Sequence, residues 1–296
     1  MRIVSWNMNR LARSAADHEK AWSHLEEKLA ADLALVQEAQ PPDRFSTQAY
    51  RPIDRSRYNW GSAVVALKRG LGLRERVRVP LANCYLDALS EGKLPDSHPG
   101  ASAVADVSDK DGHPLFTAAS VYGQWEMRPG GKDMDACPRL HRIISDLTGV
   151  LVGARRHPVL LAGDLNVTTQ YPTDKPSQRD TDAAAAATAV FARLGAFGLQ
   201  DCRRHGAASA NRPASCRCLD GDLCRHTRTF RSGNVEESAP TQLDYVFASD
   251  SLLTAATGCH VDDSAEAWAL SDHCPVVIDI DEQALRETSR RVQPGT

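Results

Sequence analysis

The tripeptide Ser271-Asp272-His273 sets a carboxylate beside an imidazole just ahead of the apolar run Cys274-Pro275-Val276-Val277-Ile278. Such a pair can hold a metal and touch a phosphate, although a short polar triplet before a strand is by itself ordinary turn chemistry. The same setting recurs upstream. Trp6-Asn7 closes the first apolar run, Gln37-Glu38 and Gly163-Asp164-Leu165-Asn166 follow two others, and Leu243-Asp244-Tyr245 stands at a fourth. Asn7, Glu38, Asp164, Asn166, Asp244 and Asp272 thus lie at the ends of apolar runs, and in an α/β sandwich such ends converge. Gathering carboxylates is costly: at about 4 Å and an effective dielectric near 20, each like-charge pair costs about 4 kcal/mol. The cluster therefore needs a cation or protons. A hard cation such as Mg²⁺ takes oxygen ligands and keeps waters, leaving coordination open to a phosphate.

The elements that must position these groups alternate. Strands are expected at Arg2 to Trp6, Leu33 to Gln37, Ser62 to Leu67, Ser102 to Val107, Leu115 to Tyr122, Val159 to Ala162, Leu243 to Phe247 and Val276 to Ile280. Most are apolar on both faces, as in a sheet covered by other layers. Helices are expected from Ser14 to Ala30, Pro138 to Val152 and Thr181 to Leu194, the first capped by Ser14 with Ala21, Trp22, Leu25 and Leu29 on one face. The fold class is α/β. We read one domain through residue 281, followed by a charged tail over 282–296 that should fray.

Composition excludes little but helps. Of the 296 residues 42% are hydrophobic and 25% charged, which argues against disorder. The net charge of -3 means that any contact with a polyanion must come from a local patch. With no run near the roughly 18 apolar residues of a membrane span and no apolar leader, a cytoplasmic protein without a membrane or obligatory protein partner is expected. Its eight cysteines are then expected to be reduced or metal-bound.

Taken together, Trp6-Asn7, Gln37-Glu38, Gly163-Asp164-Leu165-Asn166, Leu243-Asp244-Tyr245 and Ser271-Asp272-His273 resemble the endonuclease/exonuclease/phosphatase superfamily, which includes DNase I and exonuclease III. Trp60-Gly61-Ser62-Ala63-Val64-Val65 looks like the family's second inner strand, and Tyr122 sits where members carry a Tyr or His reaching the phosphate. The resemblance covers residue 2 to about 280. It implies a four-layer sandwich, two mixed β-sheets packed face to face and flanked by helices, that cuts a phosphate ester with a divalent metal, Mg²⁺ or Mn²⁺. By it, Glu38 is the main metal ligand, with Asn7 and Asp272 contributing directly or through water. Asp164 orients or deprotonates the attacking water, Asn166 bonds a non-bridging oxygen, Asp244 fixes the His273 ring, and His273 and Tyr122 face the phosphate. Whether Asp164 or His273 takes the water's proton stays open.

Between Asp201 and Phe230 lie Cys202, Cys216, Cys218 and Cys224, half of all the cysteines. Cys216, Cys218, Cys224 and His226 would supply the four ligands of one structural Zn²⁺, though the spacing is not a standard zinc-finger one; reduced surface thiols are the other reading. The same stretch is rich in arginine, and Arg225, Arg228 and Arg231 are candidates to grip a nucleic-acid backbone. Members specialised for abasic DNA tend to have Trp after Thr-Phe, where this chain has Thr229-Phe230-Arg231. The leading expectation is a nuclease acting on DNA or RNA. A phosphatase or phosphodiesterase on a small or lipid phosphate is the second, weakened by the lack of an evident apolar membrane-docking hairpin, and a non-catalytic nucleic-acid-binding module is the third.

Overall fold

Strands that are apolar on both faces need cover on both sides, and two stacked sheets flanked by helices supply it. A computed structural model describes the whole chain except residues 46, 55–57, 81–92, 128–133, 171–175, 205–223, 225, 232–240 and 293–296. The first sheet runs β15 (Ala256–Val261), β16 (Val276–Ile280), β1 (Arg2–Asn7), β2 (Leu33–Ala39), β4 (Tyr58–Ala66) and β3 (Gln48–Asp54). The second runs β13 (Leu199–Asp201), β14 (Asp244–Ser249), β12 (Val159–Asp164), β9 (Pro114–Val121), β8 (Ser102–Ser108) and β5 (Gly72–Glu75). Two small ribbons, β6 (Arg78–Pro80) with β7 (Leu94–Asp96) and β10 (Glu126–Met127) with β11 (Met134–Asp135), complete the strands.

Each sheet has one parallel pair at its centre, β1 with β2 and β12 with β9, and antiparallel pairing elsewhere. An antiparallel neighbour begins where its partner ends. β16 therefore starts beside the end of β1, with Val276 opposite Ser5, and β14 starts beside the end of β12, with Asp244 opposite Asp164. This register collects the polar strand ends of distant segments on one edge of the sandwich.

Between the sheets Ile3, Leu35 and Val64 meet Leu160, Ala162 and Val246. On the outer face of the first sheet Trp22 of the helix Ala15–Ser23 packs with Val4, Val36 and Val65. On that of the second, Leu140 and Ile143 of the helix Cys137–Asp146 and Val190 and Leu194 of the helix Gln178–Ala196 cover Leu161 and Phe247. Each such aliphatic side chain contributes about 1.5–3 kcal/mol on burial. The layers are thus helix, sheet, sheet, helix, as the family resemblance implies.

Departures from expectation have local causes. Ser14 caps the first helix through its hydroxyl, but the α-helix stops at Ser23 and continues as a π-turn over His24–Lys28 that buries both His24 and Leu25. The Gln178–Ala196 helix starts earlier than expected because Ser177 and Asp180 form a reciprocal capping box. The tail expected to fray is instead helical over Glu282–Val292: Asp281 accepts from the Gln283 and Ala284 amides, and Leu285, fully buried, joins the inter-sheet core. No described helix is long and apolar enough to cross a membrane.

Candidate active site

Four strand ends form the floor. Asn7 closes β1, and its side-chain Nδ2 donates to Asp164 Oδ2 at 2.9 Å and to Glu38 Oε1 at 3.2 Å. Its oxygen accepts from the Asn9 amide at 2.9 Å, so the nitrogen, not the oxygen, faces the acids. Glu38 lies at an irregularity of the β2–β4 ladder between Val36 and Ala39, with φ 45°. A left-handed non-glycine residue costs about 1–3 kcal/mol, and at a bulge it re-aims the side chain. Asn166, at φ 53°, is the second such site residue; its amide N–H donates to Asp164 Oδ1 at 2.9 Å and its Nδ2 to Oδ2 at 3.0 Å.

Asp164, 1% exposed, is therefore held by two amide side chains and one backbone N–H. Across from it His273 Nδ1 pairs with Asp244 Oδ2 at 2.8 Å, and His273 Nε2 lies 3.7 Å from Asp164 Oδ2. That gap is too long for a direct hydrogen bond and close enough for one water or one phosphate oxygen to bond both. Burial raises the Asp164 pKa, with Asp244 and Glu38 adding and His273 and Asn7 opposing. Burial opposes charging of His273, but Asp244, Asp164 and Asp272 outweigh it and raise its pKa. Tyr122 is pushed up by burial and by the carboxylates of Glu38, Asp164 and Asp272, so its hydroxyl stays protonated and able to donate.

Residues that pattern reading left without a role fix these groups. Ser271 Oγ donates to the Asn7 carbonyl at 2.8 Å and accepts from the His273 amide at 3.1 Å, and Trp6 Nε1 donates to the His273 carbonyl at 2.9 Å. Gln37 crosses between the sheets to Ser120 Oγ at 2.9 Å. Thr229 Oγ1 accepts from the Leu243 and Asp244 amides at 3.0 and 3.1 Å, while Phe230 packs on the His273 ring at 4.9 Å. Gly163 lets β12 approach β9: with φ 153°, a Cβ there would meet the Val121 carbonyl oxygen at 1.8 Å. Only the short hydroxyl and glycine positions next to each motif hinted at this.

The structure thus brings together Asn7, Glu38, Tyr122, Asp164, Asn166, Asp244, Asp272 and His273. The family model for "Endonuclease/Exonuclease/phosphatase family" matches residues 4–273. The chain belongs to that family. As a member it is by type a phosphoric-ester hydrolase. No curated protein matches the sequence. Among solved structures, the Xenopus laevis APE2 catalytic domain is similar over 95% of this chain and 91% of its own, at 15% identity and TM-score 0.61. An AP endonuclease from Archaeoglobus fulgidus has 15% identity and TM-score 0.60 over 95% of this chain and 99% of its own. The 3′ phosphatase NExo from Neisseria, bound to product DNA hairpin, has 17% identity and TM-score 0.60, with 95% and 99% covered. At these identities the likeness establishes the family fold.

The donor set fits a divalent cation. Asp164, Asp244 and His273 offer ligand atoms within 4.8 Å of one another, and the half-buried carboxylates of Glu38 and Asp272 both act on the Tyr122 hydroxyl. This family member thus gathers four acids around one imidazole, an excess of negative charge with hard oxygen donors.

In the arginine-rich stretch, Cys216, Cys218 and Arg225 lie outside the described residues. Cys224 and His226 are buried neighbours, Sγ 3.2 Å from Nδ1, and His226 Nε2 lies 2.9 Å from Thr169 Oγ1. No disulfide links the described cysteines. Arg228 and Arg231 converge on Trp268, their guanidinium carbons 5.7 and 4.1 Å from the ring centroid, and the Arg231 amide donates to the Asp272 carbonyl at 2.9 Å.

Proposed function

We propose that the protein is a divalent-metal-dependent phosphodiesterase that hydrolyses DNA or RNA by in-line attack of water. The observation that carries the reading is the buried Asp164–His273–Asp244 arrangement, with the half-buried Glu38 and Asp272 beside it. Glu38 and Asp272 would hold Mg²⁺ or Mn²⁺, whose positive charge offsets that of the carboxylates and of the phosphate. Asp164, its pKa raised by burial, accepts the proton of the attacking water, with Asn7 and Asn166 fixing the carboxylate's direction. His273, kept protonated by Asp244, donates to a phosphate oxygen from Nε2. Tyr122 donates its hydroxyl to the charge that develops in the transition state. Asn166 Nδ2, 3.0 Å from Asp164, adds a neutral donor for a non-bridging oxygen.

Nucleic acid is favoured as substrate because Arg228 and Arg231 flank Phe230, which packs on the His273 ring. Two of the similar structures, an AP endonuclease and a 3′ phosphatase bound to product DNA hairpin, point the same way. A Mg²⁺/Mn²⁺ screen over single- and double-stranded DNA, RNA and small phosphate esters tests this. Cleavage of oligonucleotides that stops with EDTA is expected; hydrolysis of small esters alone would overturn the substrate assignment.

For the cysteine-rich stretch we infer one structural zinc. Its support is the buried Cys224–His226 contact and the Thr169 hydroxyl on the far ring nitrogen, the way partners orient a metal-bound imidazole. Metal analysis should find about one zinc per chain, lost in Cys216→Ser/Cys218→Ser.

A further inference from the structure

Immediately after Tyr122 the chain leaves the site floor. The Gly123 amide donates to the Asp164 carbonyl at 2.7 Å, and three residues later the ribbon of β10 and β11 begins. Met127 pairs with Met134 and Glu126 with Asp135. Residues opposite one another in a pair share a face, so Met127 and Met134 lie together on one and Glu126 and Asp135 on the other; Trp125 directly precedes the strand, two residues from Met127, the spacing that alternation assigns to Met127's face. Trp125 is 49% exposed, Met127 66% and Met134 44%. Glu126 turns to Arg142 and to Arg139, whose guanidinium also bonds Gln124 Oε1. The Cys137 amide donates to Asp135 Oδ1 at 2.9 Å, tying the return strand to the same helix. The ribbon is thus braced on its polar face, and its apolar residues are exposed. Sequence reading found no apolar hairpin because residues 128–133 separate Met127 from Met134, and only the pairing puts them together.

We propose that Trp125, Met127 and Met134 form a stacking platform for an unpaired base of the substrate strand next to the phosphate held at Tyr122 and Asp164. The proposal rests on the nuclease reading of that site. One indole and two thioethers are far too little for a stable protein interface, which buries about 1,200–2,000 Å² in total, and match the face of one or two bases. Continuity with the floor places a base stacked there on the strand being cut. Two guanidiniums at the ribbon's base, Arg139 and Arg142, add positive charge near the strand's backbone.

The test compares wild type, Trp125→Ala/Met127→Ala and Trp125→Phe on a single-stranded oligonucleotide, its duplex and bis(4-nitrophenyl) phosphate. Anisotropy binding of the labelled single strand and of anionic phospholipid vesicles completes it. The double variant should lose about tenfold or more in kcat/KM and in affinity for the single strand, the duplex being affected less, with the small ester unchanged and Trp125→Phe largely restored. Equal loss on the oligonucleotide and the small ester would mean a structural role, and no loss on either would mean no platform; both overturn the proposal. Vesicle binding that falls with the double variant while strand binding does not would make the ribbon a membrane contact instead. Wild type that binds the strand through Trp125 without cutting it would sink the nuclease reading alone. Wild type that neither binds nor cuts it would sink both.

Discussion

The two sheets follow one plan, each with a single parallel pair at the centre and antiparallel strands outside, yet their polar edges differ in chemistry. The second sheet delivers Asp164 and Asp244 in direct register, two buried carboxylates with no basic side chain of the floor between them on that sheet. The first delivers His273 and the half-buried acids Glu38 and Asp272. His273 meets both carboxylates of the opposite sheet, at 2.8 and 3.7 Å. Neither edge is a site alone: one holds acids that repel each other, the other an imidazole whose charge depends on them. The packing of sheet on sheet assembles the chemistry.

Breaking that assembly at its centre should have the largest effect. Asp164→Asn and His273→Ala are each expected to lower kcat by about 10²–10⁴-fold on whichever phosphoric ester the screen identifies, with KM less affected. Full activity in either variant would remove the residue from the mechanism. Loss of His273 also leaves two buried carboxylates uncompensated, a cost of about 3–5 kcal/mol that denaturant titration would measure.

Asp244→Asn keeps the shape of the contact and removes the charge that holds His273 protonated. Activity should fall about 10–100-fold, the usual cost of an orienting partner, with little change in circular dichroism. A variant as impaired as His273→Ala would instead make Asp244 an equal partner in catalysis.

At the seam between the central strands of the second sheet, Gly163→Ala would force a methyl against the Val121 carbonyl oxygen in a backbone region that disfavours it. About 1–3 kcal/mol of stability should be lost. An unchanged thermal midpoint would show that β12 can shift away from β9 at no cost.

A pH-dependent contrast belongs to the outer layer of the first sheet. His18 accepts at Nε2 from Trp22 Nε1 and from the Gln40 amide, each at 3.2 Å, and burial lowers its pKa to about 4. The unfolded chain takes this proton near pH 6.5, so the stability linked to neutral His18 is complete above that pH. It declines by up to about 3 kcal/mol as pH falls toward 4. His18→Gln should flatten that part of the stability profile, seen in hydrogen exchange of the Ala15–Ser23 helix; a parallel profile would refute the assignment.

What could be read in the chain follows from range. The eight expected strands all exist because each is a local apolar run, and the motif residues lie at their ends because polar residues stop such runs. The edge strand β3 escaped notice through Pro52, which an edge tolerates, and β15 because Ala256–Val261 carries no clear alternation. The helix Glu282–Val292 looked like a tail because one buried side chain, Leu285, anchors an otherwise polar face. Residue types and the order of the motifs fixed the family, since a carboxylate or an imidazole is the same ligand wherever the chain puts it. Tertiary structure alone decided that Asn7 turns its nitrogen to the acids, that His273 reaches across to Asp244 and Asp164, and that Met127 stands beside Met134. Those are hydrogen-bond directions and cross-sheet or cross-strand distances. They are set by register and packing between segments up to hundreds of residues apart, which no local pattern encodes.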